Sequence, residues 1–352
     1  MIILKPNVSF QIECLMKENE SSNRREFLKT LAGLTTGLMI PFRGISVPGR
    51  VEGGRDRIGE VLPLRKLGKT GEQVTMLGLG GYHIGWTSEK NASETIEAAL
   101  QEGVRFFDTA EGYSSGLSEE RYGKFLVPRY RDEIFLMTKT YSTNASSARN
   151  QLEASLRRLK TDQIDLWQVH AINSKGDVDN RIYNGVLEVI AEAKRSGKVC
   201  YVGFTGHDNP YAHAHMLDKT GEDFFDTCLF PVNVLDAGAE HSFIETIMQR
   251  LMDRKMGVLA MKTLADGRFF SKKIERGNTI WDTNKPVIPD YVTIEEALSF
   301  VWSLPVSVLI TGAENPGLIR EKAAMARRFV KLSEKERTEL VRRFADFGRS
   351  EE

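Results

Sequence analysis

From residue 62 onward, short apolar runs alternate with longer stretches in which apolar residues recur every three or four positions. The short runs predict strands at 76–81, 105–109, 134–138, 164–169, 201–205, 227–232, 258–261 and 308–311. Between them, 94–102, 148–159 and 185–195 carry the helical period; Leu152, Leu156 and Leu159 fall on one face. Thr293 with Glu296, and Ser333 with Glu336, have the spacing of reciprocal N-terminal caps and predict two further helix starts. Upstream, 64–66 and 73–76 flank Gly68-Lys69-Thr70-Gly71, which reads as a hairpin turn. Eight strands, each followed by a helix, describe an α/β protein with a (β/α)8 TIM barrel as its single domain. An open doubly wound sheet would place Gly-x-Gly-x-x-Gly after its first strand, a spacing that Gly78, Gly80 and Gly81 do not supply.

The first sixty residues break this rhythm. Ser-Ser-Asn-Arg-Arg-Glu-Phe-Leu-Lys at 21–29 precedes an apolar run at 31–40 that Pro41 stops. About ten apolar residues suit a secretory leader, whereas roughly 20 are needed to span a bilayer. The Arg24-Arg25 pair with Phe27, Leu28 and Lys29 resembles the twin-arginine export motif. The expectation is an exported, periplasmic protein that engages the twin-arginine export machinery transiently; without a working leader it is cytoplasmic. The pair lies far from Met1, Met16 is a better-placed start, and no small-x-small cleavage site follows Ile40. Glycine and charge dominate 48–59, as in a flexible linker. The chain therefore divides into a leader and linker at 1–60 and a barrel at 61–352.

Composition narrows the function. Of 352 residues, 41% are hydrophobic and 27% charged, ordinary for a globular enzyme. Basic and acidic side chains number 48 each, so there is no electrostatic case for nucleic acid. Cys14, Cys200 and Cys228 are too far apart in sequence to suggest a disulfide framework or a cysteine-rich metal site. No surface patch legible in the sequence sets an oligomeric state.

The barrel reading puts chemistry at the C-terminal strand ends. The second strand ends in Asp108, with Tyr113 in the loop beyond; the third delivers Lys139 and the fourth His170. Each alone has an ordinary explanation, but four such groups on one rim form a site. They suit proton donation to a carbonyl oxygen. A phenol of pKa about 10 is a weak acid, and a neighbouring ammonium lowers that value. Lys139 would be that ammonium, Asp108 would keep it charged, and His170 would hydrogen-bond the carbonyl oxygen. The hydride must come from a cofactor, since no side chain supplies one. Beyond Asp108 and His170 there are too few clustered ligands for a metal, and none is expected.

Phe-Asp-Thr-Ala-Glu-Gly-Tyr at 107–113, Met-Thr-Lys at 137–139 and Asp-Leu-Trp-Gln-Val-His at 165–170 resemble the aldo-keto reductases. Leu-Gly-Lys-Thr-Gly at 67–71, Leu-Gly-Leu-Gly-Gly at 77–81 and Thr-Gly-Ala at 311–313 are also similar to that family, and the likeness runs from Leu64 to about Phe344. It implies a TIM-barrel oxidoreductase using NAD(P)H, with Tyr113 as proton donor and Asp108, Lys139 and His170 completing a tetrad. It further implies cofactor contacts at Gly80, Gly81, Asp108, Thr205, Lys262, Gly312 and Ala313. Where the family usually has Ser-Asn, a glutamine, an aromatic and a basic residue, this chain has Thr205-Gly206, Leu229, Met261-Lys262 and Leu318. Arg320 or Lys322 would then meet a 2′-phosphate, which favours NADPH and leaves NADH open.

The loops at 82–87, 141–147, 171–181 and 265–292 would shape the pocket, with Trp86, Tyr141, His207 and Trp281 as walls that stack on a sugar ring or seal the rim. The expected substrate is a small carbonyl compound: an aldehyde, a ketone or a sugar-derived ketone. The alternative is a regulatory barrel that retains cofactor with negligible turnover. An exported reductase would carry its cofactor tightly bound and recycle it between two substrates.

Overall fold

Alternation along each strand decides which side chains face the barrel axis, because neighbouring residues point to opposite faces of a sheet. The computed structural model describes residues 53–264, 271–275, 278–282 and 292–350. Of the leader and linker at 1–60, residues 1–52, including Arg24 and Arg25, lie outside the described residues. The strands are β1 (Leu64–Lys66), β2 (Gln73–Thr75), β3 (Leu77–Gly80), β4 (Phe106–Asp108), β5 (Phe135–Thr140), β6 (Ile164–Val169), β7 (Val199–Thr205), β8 (Thr227–Pro231), β9 (Gly257–Met261), β10 (Ser271–Glu275), β11 (Asn278–Asp282) and β12 (Val308–Gly312). β3 to β9 pair in sequence order, all parallel, and β12 closes the ring between β9 and β3. This is the (β/α)8 barrel that the pattern predicts, with every barrel strand within two residues of its expected limits.

The inward residues form one apolar cluster: Phe106, Met137, Leu166, Leu229, Leu259, Val308 and Ile310. Their outward neighbours Phe107, Leu136, Trp167, Val169 and Leu309 join the second cluster, shared with the helices. Leu67 and Val74, from the β1–β2 hairpin, belong to the inner cluster and plug its N-terminal end. Continuing the inward columns toward the C-terminal end gives Asp108 after Phe106, Lys139 after Met137, and Gln168 then His170 after Leu166. The candidate residues thus occupy the top layer of columns whose lower layers are apolar core.

The caps follow the sequence. Thr293 and Glu296 exchange side-chain-to-backbone bonds, as do Ser333 and Glu336. Three stretches expected as loops hold structure: a helix at Gly81–Trp86, another at Lys175–Tyr183, and the β10–β11 hairpin inside 265–292. Lys175–Tyr183 buries only Val178 and Arg181, so it has no apolar stripe to read; its cap, Ser174 accepting from the Asp177 N–H, is the local signal. Residues 53–59 do not hang free as a linker. The Arg105 guanidinium, buried at the start of β4, takes the Asp56 carboxylate at 2.6 and 2.9 Å, and Asp56 also accepts from the Ile58 and Gly59 amides.

Gly123, inside the helix Leu117–Phe125, rests on the end of the helix Ala145–Leu159: a Cβ there would lie 1.9 Å from the Arg158 carbonyl oxygen. Gly123→Ala gains about 1 kcal/mol of helix propensity, but the backbone carbonyl cannot swing aside as a side chain would. The clash wins, and we expect a net loss of about 1–2 kcal/mol, read as a lower urea midpoint at unchanged slope.

His213 is a core histidine, its ring 5.5 Å from Phe204 and 5.1 Å from Phe243. Burial pulls its pKa down to about 4. As pH falls below about 6.5, the unfolded chain takes up a proton that the folded chain refuses, so stability is lost between about 6.5 and 4. The expected loss is on the order of 3 kcal/mol, and His213→Leu should flatten that acid slope in urea titrations run at several pH values.

Candidate active site

Lys139 is the centre of the top layer, with 1% of its surface exposed. Its ammonium donates to the Asp108 carboxylate, to the Thr109 carbonyl at 2.8 Å and to the Tyr113 hydroxyl at 3.3 Å, which uses all three of its protons. The ammonium also sits 4.7 Å from the centre of the Tyr113 ring. His170 meets that ring edge-on at 5.7 Å, and Tyr141 lies over His170 at 4.0 Å. Tyr82 closes the far side, edge-on to Tyr113 at 5.6 Å. The tetrad read from sequence is therefore one contiguous cluster.

Local backbone geometry aims these groups. Tyr113 is followed by Ser114, Ser115 and Gly116, with φ of 51°, 54° and 93°. Two consecutive non-glycine residues in the left-handed region cost about 1–2 kcal/mol each and persist only where the surroundings hold them. Ala171 after His170 and Lys262 after β9 share this conformation, so three turns at one rim carry such strain. Gly112 lets the Tyr141 ring pack close: a Cβ there would lie 2.2 Å from that ring and push it from its place over His170.

Burial dominates the electrostatics. It pushes Asp108 up, against the pull of Lys139, and draws Lys139 down, against the support of Asp108 and Glu119. Burial first, then Lys139, hold His170 well below the usual histidine range. Tyr113 is pushed well above 10 by burial and then by the Asp108 charge. The expectation that Lys139 lowers the phenol is not met, because Asp108 offsets the ammonium and the buried site favours the neutral hydroxyl. At neutral pH the cluster holds a phenol and an uncharged imidazole.

The four groups open into a cavity of about 390 Å³ that reaches from Tyr113 to Gly312, Glu314, Leu318 and Lys322. Of the expected cofactor residues, Gly80, Asp108, Thr205, Lys262, Gly312 and Lys322 line it. Gly81, Ala313 and Arg320 are not in its wall. Gly81 packs instead against the Asp108 carbonyl, which a Cβ would approach to 2.5 Å. Arg320 is exposed, because Leu318 and Lys322 sit one helical turn apart on the face that Arg320 does not share. Lys322 is buried, donates to the Gly312 carbonyl at 2.9 Å, and is drawn down to about 8 by burial, with Glu314 opposing. Gly206 has no room for a larger residue: a Cβ would lie 2.2 Å from the Ile172 carbonyl oxygen.

Tyr141 and His207 are cavity walls as expected, and Trp86 is not; the Trp281 side chain lies outside the described residues. Tyr82, His83, Thr263 and Glu314 also line the cavity and were not singled out from sequence. All four follow within a few residues of β3, β9 or β12, so applying the strand-end rule to every strand would have found them. Two polar atoms of lining residues, His170 Nδ1 and Thr263 Oγ1, are buried without a hydrogen-bond partner. Orphaned atoms of this kind, beside a buried ammonium, fit a polar, anion-bearing group such as a dinucleotide.

The aldo-keto reductase YhdN of Bacillus subtilis is 38% identical over 223 residues, which cover 58% of this chain and 63% of that protein. L-galactose dehydrogenase of Arabidopsis thaliana is 28% identical over 239 residues, 64% of this chain and 71% of that protein. The holo form of an aldo-keto reductase from Bacillus halodurans shares the fold, with a TM-score of 0.66 at 22% identity over 80% of this chain and 96% of that one. The profile described as "Aldo/keto reductase family" matches residues 76–341, three quarters of the sequence. The chain belongs to the aldo/keto reductase family and is an NAD(P)H-dependent oxidoreductase of carbonyl compounds.

Proposed function

We propose that the chain reduces an aldehyde, a ketone or a sugar-derived carbonyl to the alcohol, with Tyr113 as general acid. The observation that carries this is the Lys139 ammonium, bonded to Asp108 on one side and 3.3 Å from the Tyr113 hydroxyl on the other, inside a mouth that His170 shares. The substrate oxygen is held between Tyr113 and His170. Bound NAD(P)H supplies the hydride. As charge develops on the oxygen, Tyr113 passes it a proton; an alkoxide is a far stronger base than a phenolate, so transfer is downhill even from a raised phenol. Lys139 acts after the proton has left, by stabilising the new phenolate at close range. His170, kept uncharged, donates a hydrogen bond without competing as an acid.

Gly312, Lys322, Thr205 and Lys262 would hold the cofactor. NADPH is the preferred form, supported by the buried Lys322 ammonium in the cavity wall. A sugar-derived substrate is supported by the relative named for L-galactose and by the partly exposed rings of Tyr82 and Tyr141 at the mouth, 58% and 41% exposed.

Tyr113→Phe is expected to lower kcat about 10²–10⁴-fold across a panel of aldehydes and sugar-derived ketones. Fluorescence titration with NADPH should show nearly unchanged binding, because the phenol oxygen is not among the groups that would hold the cofactor. Undiminished turnover would remove Tyr113 from its role.

The Arg24-Arg25 leader supports export of the chain. Expressed with its leader, it should appear in the periplasmic fraction, and replacing both arginines by lysine should hold it in the cytoplasm. An unchanged distribution would end the export reading.

A further inference from the structure

Behind the mouth, the helix Leu117–Phe125 places two adjacent buried polar side chains that reach in different directions. Ser118 donates to the Gly81 carbonyl at 2.7 Å and accepts from Thr109 Oγ1 at 2.8 Å, so it grips the end of the strand that bears Asp108. Glu119 accepts from Thr138 Oγ1 at 2.5 Å, next to Lys139, and pairs with Arg158 at 2.6–2.7 Å. The Arg158 guanidinium lies in turn against Gly116, where a Cβ would come 2.8 Å from its Nε. Gly116 ends the left-handed run that starts after Tyr113. The segments presenting Asp108, Tyr113 and Lys139 therefore meet on Ser118 and Glu119.

Stability alone does not explain a carboxylate with no exposed surface at this point. Apolar replacements of a buried ion pair are often neutral or stabilising. The charges around Lys139 give a better reason. Around it are Asp108 from β4, Tyr113 from the turn, Glu119 from the helix and His170 beyond β6, with Tyr122 beside Asp108 and Arg158 on the far side of Glu119. Tyr113 and Tyr122 are neutral phenols and His170 a neutral imidazole. Asp108 and Glu119 are the two carboxylates that support the ammonium against its burial.

We propose that Glu119 is a positioning residue for carbonyl reduction. Through Thr138 and Arg158 it sets the Tyr113 hydroxyl against the Lys139 ammonium. The proposal rests on the reading of Tyr113 as proton donor.

The test compares Glu119→Gln, the double variant Glu119→Gln with Arg158→Met, and Tyr113→Phe in the full-length protein. For Glu119→Gln we expect NADPH binding, read by fluorescence, within about twofold of the parent, kcat lower by about 10–100-fold and KM little changed. The alkaline limb of the kcat–pH profile should move to lower pH, because Lys139 loses its proton sooner without Glu119; a purely structural role would not move it. The double variant removes the buried carboxylate together with its partly exposed partner and should show the same displaced limb. It decides alone if Glu119→Gln does not fold. The proposal is overturned if the alkaline limb is unmoved or if kcat stays within about twofold of the parent. Tyr113→Phe separates the two readings. If it turns over normally, the donor assignment fails first. If it is inert while the Glu119 variants are unaffected, only the positioning role is lost.

Discussion

The buried ion pair between Lys139 and Asp108 is the constraint on which the rest of the site depends. Two opposite charges removed from water are tolerated only where geometry is tight and the leftover protons find acceptors. Here the register supplies both. Asp108 pairs with Met137 across β4 and β5, so Lys139, one step further up the inward column, reaches back to the carboxylate and to the Thr109 carbonyl. The remaining proton is directed at Tyr113. A one-residue slip of β5 would turn Lys139 outward and bring Thr138 into the barrel, breaking the pair and the apolar layer below it together. Core packing and catalytic geometry are thus fixed by the same register.

That register does not by itself bring Tyr113 to Lys139, because Tyr113 lies five residues beyond its strand. The turn that the Tyr113 N–H closes on the Ala110 carbonyl at 3.1 Å does so, and the left-handed run at Ser114–Gly116 then leads into the helix, at a conformational cost met by neighbours. Ser118 ties the following helix to β3 and β4, Glu119 ties it to β5, and Gly123 seats it on the next helix. Strain next to Tyr113, His170 and Lys262 is concentrated where the barrel hands over to its loops. Such strain survives because the strands beneath are over-determined by packing.

Much of this was legible in sequence for one reason: the period of two that identifies a strand also says which residues face inward. Asp108, Lys139 and His170 each continue an inward apolar column, so their convergence follows from the pattern. What was not legible depends on partners distant in the chain. Gly206 is small because Ile172 and His213 crowd it, and Glu119 meets Arg158 across 39 positions. The helix Lys175–Tyr183 buries too little to leave a stripe. The direction of the Tyr113 shift also escaped, since pairing Lys139 with the phenol overlooks the desolvation and the Asp108 charge that outweigh it.

The two groups of residues that line the cavity differ in how tightly chemistry dictates them. At the mouth, Lys139 spends all three protons on fixed partners, so few other side chains could take its place. Around Lys322 the requirement is for positive charge and spare donors. Lys322 gives one hydrogen bond to the Gly312 carbonyl, leaving donor capacity beside a cavity into which Glu314 also projects. An anion arriving there would repay the burial that draws the ammonium down to about 8, while the Glu314 carboxylate opposes it. A balance of charges can be struck with many residue sets, whereas three fixed acceptors around one buried ammonium cannot.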